Sequence, residues 1–317
     1  MSEPRESSLL RVSSVGRRGV LLVDGEGREI SAGTSGGVFR DGEGPVPGDR
    51  VAAVASRGRL MLEEILPRRG LLTRTSPSGR EQLIAANVDR VLAVVALREP
   101  PLRTGFLDRV LAASEWRSLP ASIVVNKIDL ASGEADADLL ERIAGDFGPG
   151  GAGYPVFPVS CADGSGLEAL RESIRGQTVV MTGPSGAGKT SLALRFRPGL
   201  DLRIGTLNPK TSKGRHTTVS ARLIPLGGGT ALMDTPGLRV FSVEHIPPGE
   251  LKRCFPEIRR LEGGCQFRDC MHLAEPGCAV KRACDDGGIP TSRYASYRML
   301  VEEISANRKA PTPSASS

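Results

Sequence analysis

Gly183-Pro184-Ser185-Gly186-Ala187-Gly188-Lys189-Thr190, followed by Ser191, has the spacing of a loop that wraps a phosphate group. Its glycines let successive backbone N–H groups turn inward with no Cβ in the way. Lys189 is placed to reach the β- and γ-phosphates of a nucleoside triphosphate, and the Thr190 hydroxyl to coordinate Mg²⁺. Asn126-Lys127-Ile128-Asp129 carries a second kind of chemistry. One carboxylate at Asp129 can accept from both N1–H and the 2-amino group of guanine. Adenine lacks that donor pair and leaves the acid unpaired. Asn126 is expected to donate to the acceptor edge of the base, with the Lys127 stem lying over the ring face.

Weaker signals lie between and beyond these two. Ser160-Cys161-Ala162 offers backbone N–H groups that could support the guanine oxygen. Asp234-Thr235-Pro236-Gly237 puts an acid where it can hold Mg²⁺ through water and the Gly237 amide where it can touch a γ-phosphate. Thr217 and Thr218 lie between the phosphate loop and Asp234, where a switch threonine belongs, with His216 just before them. Cys265-x4-Cys270-x-His272-x5-Cys278 supplies three thiolates and one imidazole, a set suited to one tetrahedral, structural Zn²⁺. Cys161, Cys254 and Cys284 read as small buried residues and His245 as a surface or packing residue.

Elements of the right kind flank these stretches. Val88–Leu97, Ser122–Val125, Tyr154–Val159 and Thr178–Met181 are apolar runs suited to parallel strands, with a last strand at Ala231–Met233. Between them, 106–116, 136–147 and the run from Leu167 to Ile174 have helical spacing, and SLALRF follows the phosphate loop. Strand and helix in alternation imply an α/β parallel sheet. Residues 1–68 differ: short alternating segments at Val20–Val23, Val38–Phe39, Asp49–Val54 and Leu60–Ile65, with Gly-rich turns, fit a small five-stranded barrel of the oligonucleotide-binding type. Residues 69–86 read as a polar linker. A final helix starts near Pro290 and presents Tyr294, Tyr297, Val301 and Ile304 on one face, and the last residues read as disordered. The expected division is therefore 1–68, an all-β barrel; 69–245, the α/β nucleotide domain; and 246–317, a small helical zinc domain with a tail.

The sequence has 39% hydrophobic and 25% charged residues, a soluble globular composition, and no apolar run long enough for a membrane span. The N-terminal MSEPRESSLLRV has no apolar core, so no secretory leader is expected and the cytoplasm is the default compartment. Net charge is +6, while residues 1–68 hold ten Arg against ten acids. Between 195 and 222, seven basic residues (Arg195, Arg197, Arg203, Lys210, Lys213, Arg215 and Arg222) face Asp201 alone, which suggests a polyanionic partner. Aromatics at 4% are few for base stacking, so shape and backbone contacts suit an RNA partner better than base readout.

The base-reading tetrapeptide precedes the phosphate loop, the reverse of Ras-like order, so the chain resembles the circularly permuted GTPases. With a short β domain before and a Cys/His segment after, it resembles specifically the ribosome small-subunit-dependent GTPase A family. That resemblance implies a GTP hydrolase and assembly factor, a monomer, bound to the small ribosomal subunit and its ribosomal RNA, with Mg²⁺ accompanying GTP. It also points to His216 as the group that orients the attacking water, since Leu238 stands where Ras-like enzymes carry a glutamine. Leu238 equally permits an alternative, a nucleotide-gated RNA tether with little catalysis. A P-loop ATPase or metabolite kinase is a third reading, against which Asn126 and Asp129 argue.

Overall fold

The structure, a computed structural model, describes residues 10–16, 19–34, 44–56, 58–75, 81–199, 221–235 and 241–309. The N-terminal strands β1 (Leu10–Gly16), β2 (Gly19–Val23), β3 (Glu29–Thr34), β4 (Arg50–Ser56) and β5 (Arg59–Ile65) close a barrel in the order β1-β2-β3-β5-β4. β4 pairs back onto β1, and β3 runs parallel to β5. Leu10, Val12, Val20, Leu22, Ala32, Val51 and Leu62 fill its interior. β1 and β3 are absent from the sequence reading for a physical reason. β3 carries only short apolar signals at Ile30 and Ala32, and β1 buries a polar residue, Ser13, whose hydroxyl donates to the Leu223 carbonyl at 2.9 Å. Val38–Phe39 lies outside the described residues.

The segment read as a linker contains two strands, β6 (Leu72–Thr75) and β7 (Glu81–Ala85), paired antiparallel. Their signal is faint because the residues alternate with Thr, Arg and Gln, leaving Leu72 and Ala85 as the fully buried anchors. Gly48 meets this connection so closely that a Cβ there would lie 2.0 Å from the Ala86 carbonyl oxygen.

The central sheet comprises β8 (Arg90–Ala96), β9 (Ala121–Asn126), β10 (Val156–Pro158), β11 (Thr178–Thr182), β12 (Arg222–Gly227) and β13 (Thr230–Asp234), in the order β10-β9-β8-β11-β13-β12. All neighbours are parallel except β12, an antiparallel edge strand on β13. β12 escapes a sequence reading because Pro225 sits in its middle; an edge strand tolerates a proline that a central one does not. Helices α1 (Thr104–Trp116), α2 (Glu134–Phe147), α3 (Leu167–Ser173) and α4 (Lys189–Phe196) link the strands. One core cluster, containing Leu92, Val94, Val179 and Leu192, lies on one side of the sheet, and a larger one, containing Val91, Val95, Leu107 and Leu111, on the other.

That larger core extends without a break into the C-terminal region. Here a 3-10 stretch (Pro248–Cys254) precedes α5 (Pro256–Arg259), α6 (Ala279–Asp285) and α7 (Thr291–Lys309). Phe255, Ile258, Tyr297, Leu300 and Ile304 share one cluster with Leu107 and Leu111 of α1. Within it lies a buried ion triad. Arg293 of α7 bonds Asp108 of α1, and its Nε donates to Glu257 of α5 at 2.7 Å, with each of the three side chains 1–2% exposed. The guanidinium also sits 4.9 Å and 4.6 Å from the ring centres of Phe147 and Phe255. Breaking such a set from one side leaves two carboxylates uncompensated in the core. Arg293→Met is therefore expected to cost about 3–5 kcal/mol, read as a lowered urea midpoint at unchanged m-value; a midpoint equal to the parent's would strip the triad of that role. Among the described residues no helix is long and apolar enough to cross a membrane.

Candidate functional site

In a parallel sheet the loops after the strands gather at the carboxyl edge, and that is where the described residues of the nucleotide motifs lie. β9 ends at Asn126, β10 leads to Ser160, β11 to the 183–190 loop, and β13 ends at Asp234. The loop rises from β11, near the middle of the sheet, and α4 begins at Lys189. A Cβ at Gly183 would lie 2.1 Å from the Val94 carbonyl oxygen, and one at Gly188, whose φ is +92°, 2.0 Å from Asn126 Nδ2. These two glycines let the loop press against β8 and β9. Lys189 turns its ammonium inward, donating to the Gly183 and Pro184 carbonyls at 2.6 and 2.9 Å, and burial pushes its pKa down.

Asn126 makes two contacts within the protein that the sequence did not suggest. Its Nδ2 donates to the Ala187 carbonyl at 2.9 Å and its Oδ1 accepts from the Cys161 amide at 3.2 Å. It is 1% exposed and ties three loops together rather than presenting its amide to solvent. Lys127 adopts a left-handed φ of +63° and its ammonium donates to the Glu99 carbonyl. No sequence signal pointed to Glu99. Asp129 is exposed, and its Oδ1 accepts from the buried Ser160 hydroxyl at 2.6 Å. Ser160 thus acts through its side chain, where the sequence suggested only backbone. Cys161 is half-buried rather than buried.

Asp234 is 8% exposed, and its Oδ1 has no hydrogen-bond partner among the described residues. Desolvation raises its pKa to about 6, only partly opposed by Arg222. An acid whose folded pKa exceeds its unfolded value (about 3.9) leaves stability intact below that value and removes it as pH rises through about 6. In nucleotide-free, EDTA-treated protein, Asp234→Asn should raise unfolding stability by about 2 kcal/mol at pH 8, with the gain fading towards pH 4. Equal urea midpoints at pH 8 would refute it. His216, Thr217, Thr218 and Gly237, together with Leu238, lie outside the described residues.

Cys265, Cys270, His272 and Cys278 come together, their four ligand atoms all within 4.8 Å of one another. His272 Nδ1 lies 3.5 Å from Cys265 Sγ and 3.4 Å from Cys278 Sγ, and the two sulfurs are 4.0 Å apart. Around a tetrahedral ion with bonds of about 2.3 Å to sulfur and about 2.0 Å to nitrogen, such edges measure roughly 3.5 to 3.8 Å, so the group fits a metal ion. The Tyr294 hydroxyl donates to the His272 carbonyl and that of Tyr297 to the Met271 carbonyl, both at 2.7 Å, so α7 holds the loop from behind. The sequence placed both tyrosines on one helical face but gave no hint of this use. Cys254 is buried outside the cluster, and Cys284 and His245 are half-buried.

A six-stranded sheet whose phosphate loop follows its fourth strand in chain order, with the guanine-type tetrapeptide upstream, defines a circularly permuted P-loop GTPase. The family model described as RsgA GTPase matches residues 65–244, and the chain belongs to that family. It is 40% identical over 288 residues to the "Small ribosomal subunit biogenesis GTPase RsgA" of Gemmatimonas aurantiaca, covering 88% of this chain and 92% of that protein. Its counterpart in Azotobacter vinelandii is 40% identical over 261 residues, 82% of this chain and 75% of that one. Among solved structures, YjeQ from Thermotoga maritima superposes with a TM-score of 0.77 at 32% identity, covering 94% of this chain and 98% of its own. YloQ, described as a circularly permuted GTPase, gives 0.76 at 27% identity, covering 98% and 100%.

Proposed function

We propose that this protein hydrolyses GTP in the biogenesis of the small ribosomal subunit, with guanine held by Asp129 and the phosphates by residues 183–191. One observation carries the nucleotide reading: the 2.9 Å bond from Asn126 to Ala187, which joins a base-reading turn to a phosphate loop across the reversed chain order. Asp129 accepts from the guanine donors and the Lys127 stem covers the ring, while the amides of Cys161, Ala162 and Asp163 are taken by Asn126 Oδ1 and the Ser160 hydroxyl and so hold the loop. The amides of Gly183, Pro184's successor Ser185, Gly186, Ala187 and Gly188 cradle the phosphates, and Lys189 leaves the loop carbonyls for the β- and γ-oxygens. Ser191, in the first turn of α4, adds a backbone donor at a helix N-terminus.

The buried oxygen of Asp234, without a partner among the described residues, suits a Mg²⁺-bound water, and the Thr190 hydroxyl suits the ion itself. Mg²⁺ supplies charge neutralisation between the β- and γ-phosphates. Thr217, Thr218 and Gly237 would complete the γ-phosphate contacts, and His216 would orient the water that Leu238 cannot. In the C-terminal region the Cys₃His set suits zinc, the borderline-soft ion that takes thiolate and imidazole together. The protein is read as a cytoplasmic monomer that contacts ribosomal RNA through its barrel and basic 195–222 segment.

The names of the relatives favour the enzyme over the nucleotide-gated tether. GTP turnover measured with small subunits, with large subunits and alone decides between them. Stimulation of more than about a hundredfold by small subunits only is expected; equal rates in all three leave the tether. His216→Ala should lower stimulated turnover by more than about tenfold while sparing GTP affinity, and unchanged turnover removes that residue from the reaction.

A further inference from the structure

We propose that Arg195, in the last turn of α4, is a positioning residue for guanine recognition, gripping the 160–163 loop so that Ser160 sets the Asp129 carboxylate. The inference rests on the nucleotide reading above and assigns a part of that site to a side chain far along the helix from the phosphates.

Arg195 Nε donates to the Cys161 carbonyl at 2.7 Å, and one of its terminal nitrogens donates to the Ala162 carbonyl at 2.6 Å. A trans peptide unit is planar, with its C=O and N–H pointing in opposite directions. Pinning those two carbonyls towards α4 therefore turns the N–H groups of the same two units, those of Ala162 and Asp163, away from it. Both donate to the Ser160 hydroxyl oxygen, at 3.1 and 3.2 Å. With its acceptor side occupied by two amides, that hydroxyl directs its own hydrogen outward to Asp129 Oδ1 at 2.6 Å. The chain of contacts runs from Arg195 through two peptide planes and one hydroxyl to the carboxylate, and every link is a hydrogen bond of ordinary length.

A planar guanidinium holds the two successive carbonyls from two separate nitrogens in one fixed geometry, which a compact ammonium on a flexible stem does not reproduce. The helix is itself fastened at this end, since an Arg171 terminal nitrogen donates to the Arg195 carbonyl at 3.0 Å and the Arg171 guanidinium lies 5.8 Å from the Phe196 ring centre. α4 is thus a short rod with the phosphate loop at its first residue and the base-side loop tied to its last turn. Arg195 is exposed, so water competes for its bonds and the effect of losing them is moderate rather than absolute.

The test is equilibrium binding of GDP, IDP and ADP to the full chain, with GTP turnover measured alongside. IDP lacks the 2-amino group and so reports how well Asp129 is aimed. For Arg195→Met, the Kd for GDP should rise about tenfold and the preference for GDP over IDP should shrink severalfold. In GTP turnover without ribosomal subunits, the change should fall on KM rather than on kcat. Arg195→Lys, which keeps the charge and one bond, should fall between the parent and Arg195→Met. A GDP affinity and a GDP-to-IDP ratio both within twofold of the parent would overturn the assignment, and if Arg195→Met does not fold, the same result in Arg195→Lys overturns it. Failure of the parent itself to prefer GDP over ADP is a separate outcome, visible before any substitution is made, and overturns the nucleotide reading and this inference together.

Discussion

Asp129→Asn is expected to weaken GTP and GDP binding by about two to three orders of magnitude and to turn the protein towards xanthosine nucleotides. The carboxylate offers acceptors to two guanine donors, and an amide in its place aims its own NH₂ at one of them. That exchanges a charge-assisted bond for an opposed pair of donors, a change of about 3–4 kcal/mol. Xanthine carries an oxygen where guanine carries its amino group, so the same NH₂ becomes a partner again. The bond from the Ser160 hydroxyl to Oδ1 survives the substitution if the amide oxygen takes that place, which fixes the NH₂ on the side of the base. Because Asp129 is exposed, folding stability should be unaffected. Competition between GDP and XDP for the parent and the variant reads the switch. GDP affinity within threefold of the parent would sink the base-reading assignment.

Removing the ion from the Cys265, Cys270, His272 and Cys278 group is expected to have the second large effect, this time on the fold. Three sulfurs and a ring nitrogen within 4.8 Å of one another cannot all be deprotonated without a cation between them. Structural zinc in small modules contributes on the order of 10 kcal/mol of folding free energy. Here the loop it ties is held by Tyr294 and Tyr297 of α7, a helix that shares its core with α1. Chelation should therefore lower the melting temperature of the whole chain by more than about 10 °C rather than fray one end. One zinc per chain by elemental analysis should accompany that drop, and identical melting with and without chelator would remove the ion from the structural account.

What could be read from the sequence was decided by how strongly each element depends on its own residues. β8, β9 and β11 are buried on both faces and appear as unbroken apolar runs, so their positions were legible, as were the loops that must follow them. β6, β7 and β12 draw their stability from partners, and Pro225 and the polar Arg74, Glu81 and Gln82 disguise them. The candidate site divides the same way. Motif spacing named Asn126, Asp129, Lys189 and the four metal ligands, because chemistry fixes both their type and their separation. It did not reveal that Asn126 also ties the loops at Ala187 and Cys161, because which groups an amide meets depends on segments 61 and 35 residues away along the chain. Glu99 was beyond reach for the same reason, and Arg195 was counted as one charge in a basic stretch when its bonds are to carbonyls.

The shared core of α1 and the C-terminal helices bears on how this chain can be cut. A fragment ending at 245 carries every nucleotide motif and looks self-sufficient on paper. It would nonetheless strip Phe255, Ile258, Tyr297 and Leu300 from against Leu107 and Leu111, and leave Asp108 without its guanidinium. Such a truncation exposes a greasy helix flank with a stranded acid in it, a recipe for inclusion bodies in an expression host. The enzymatic half and the metal half are severable as text but not as matter.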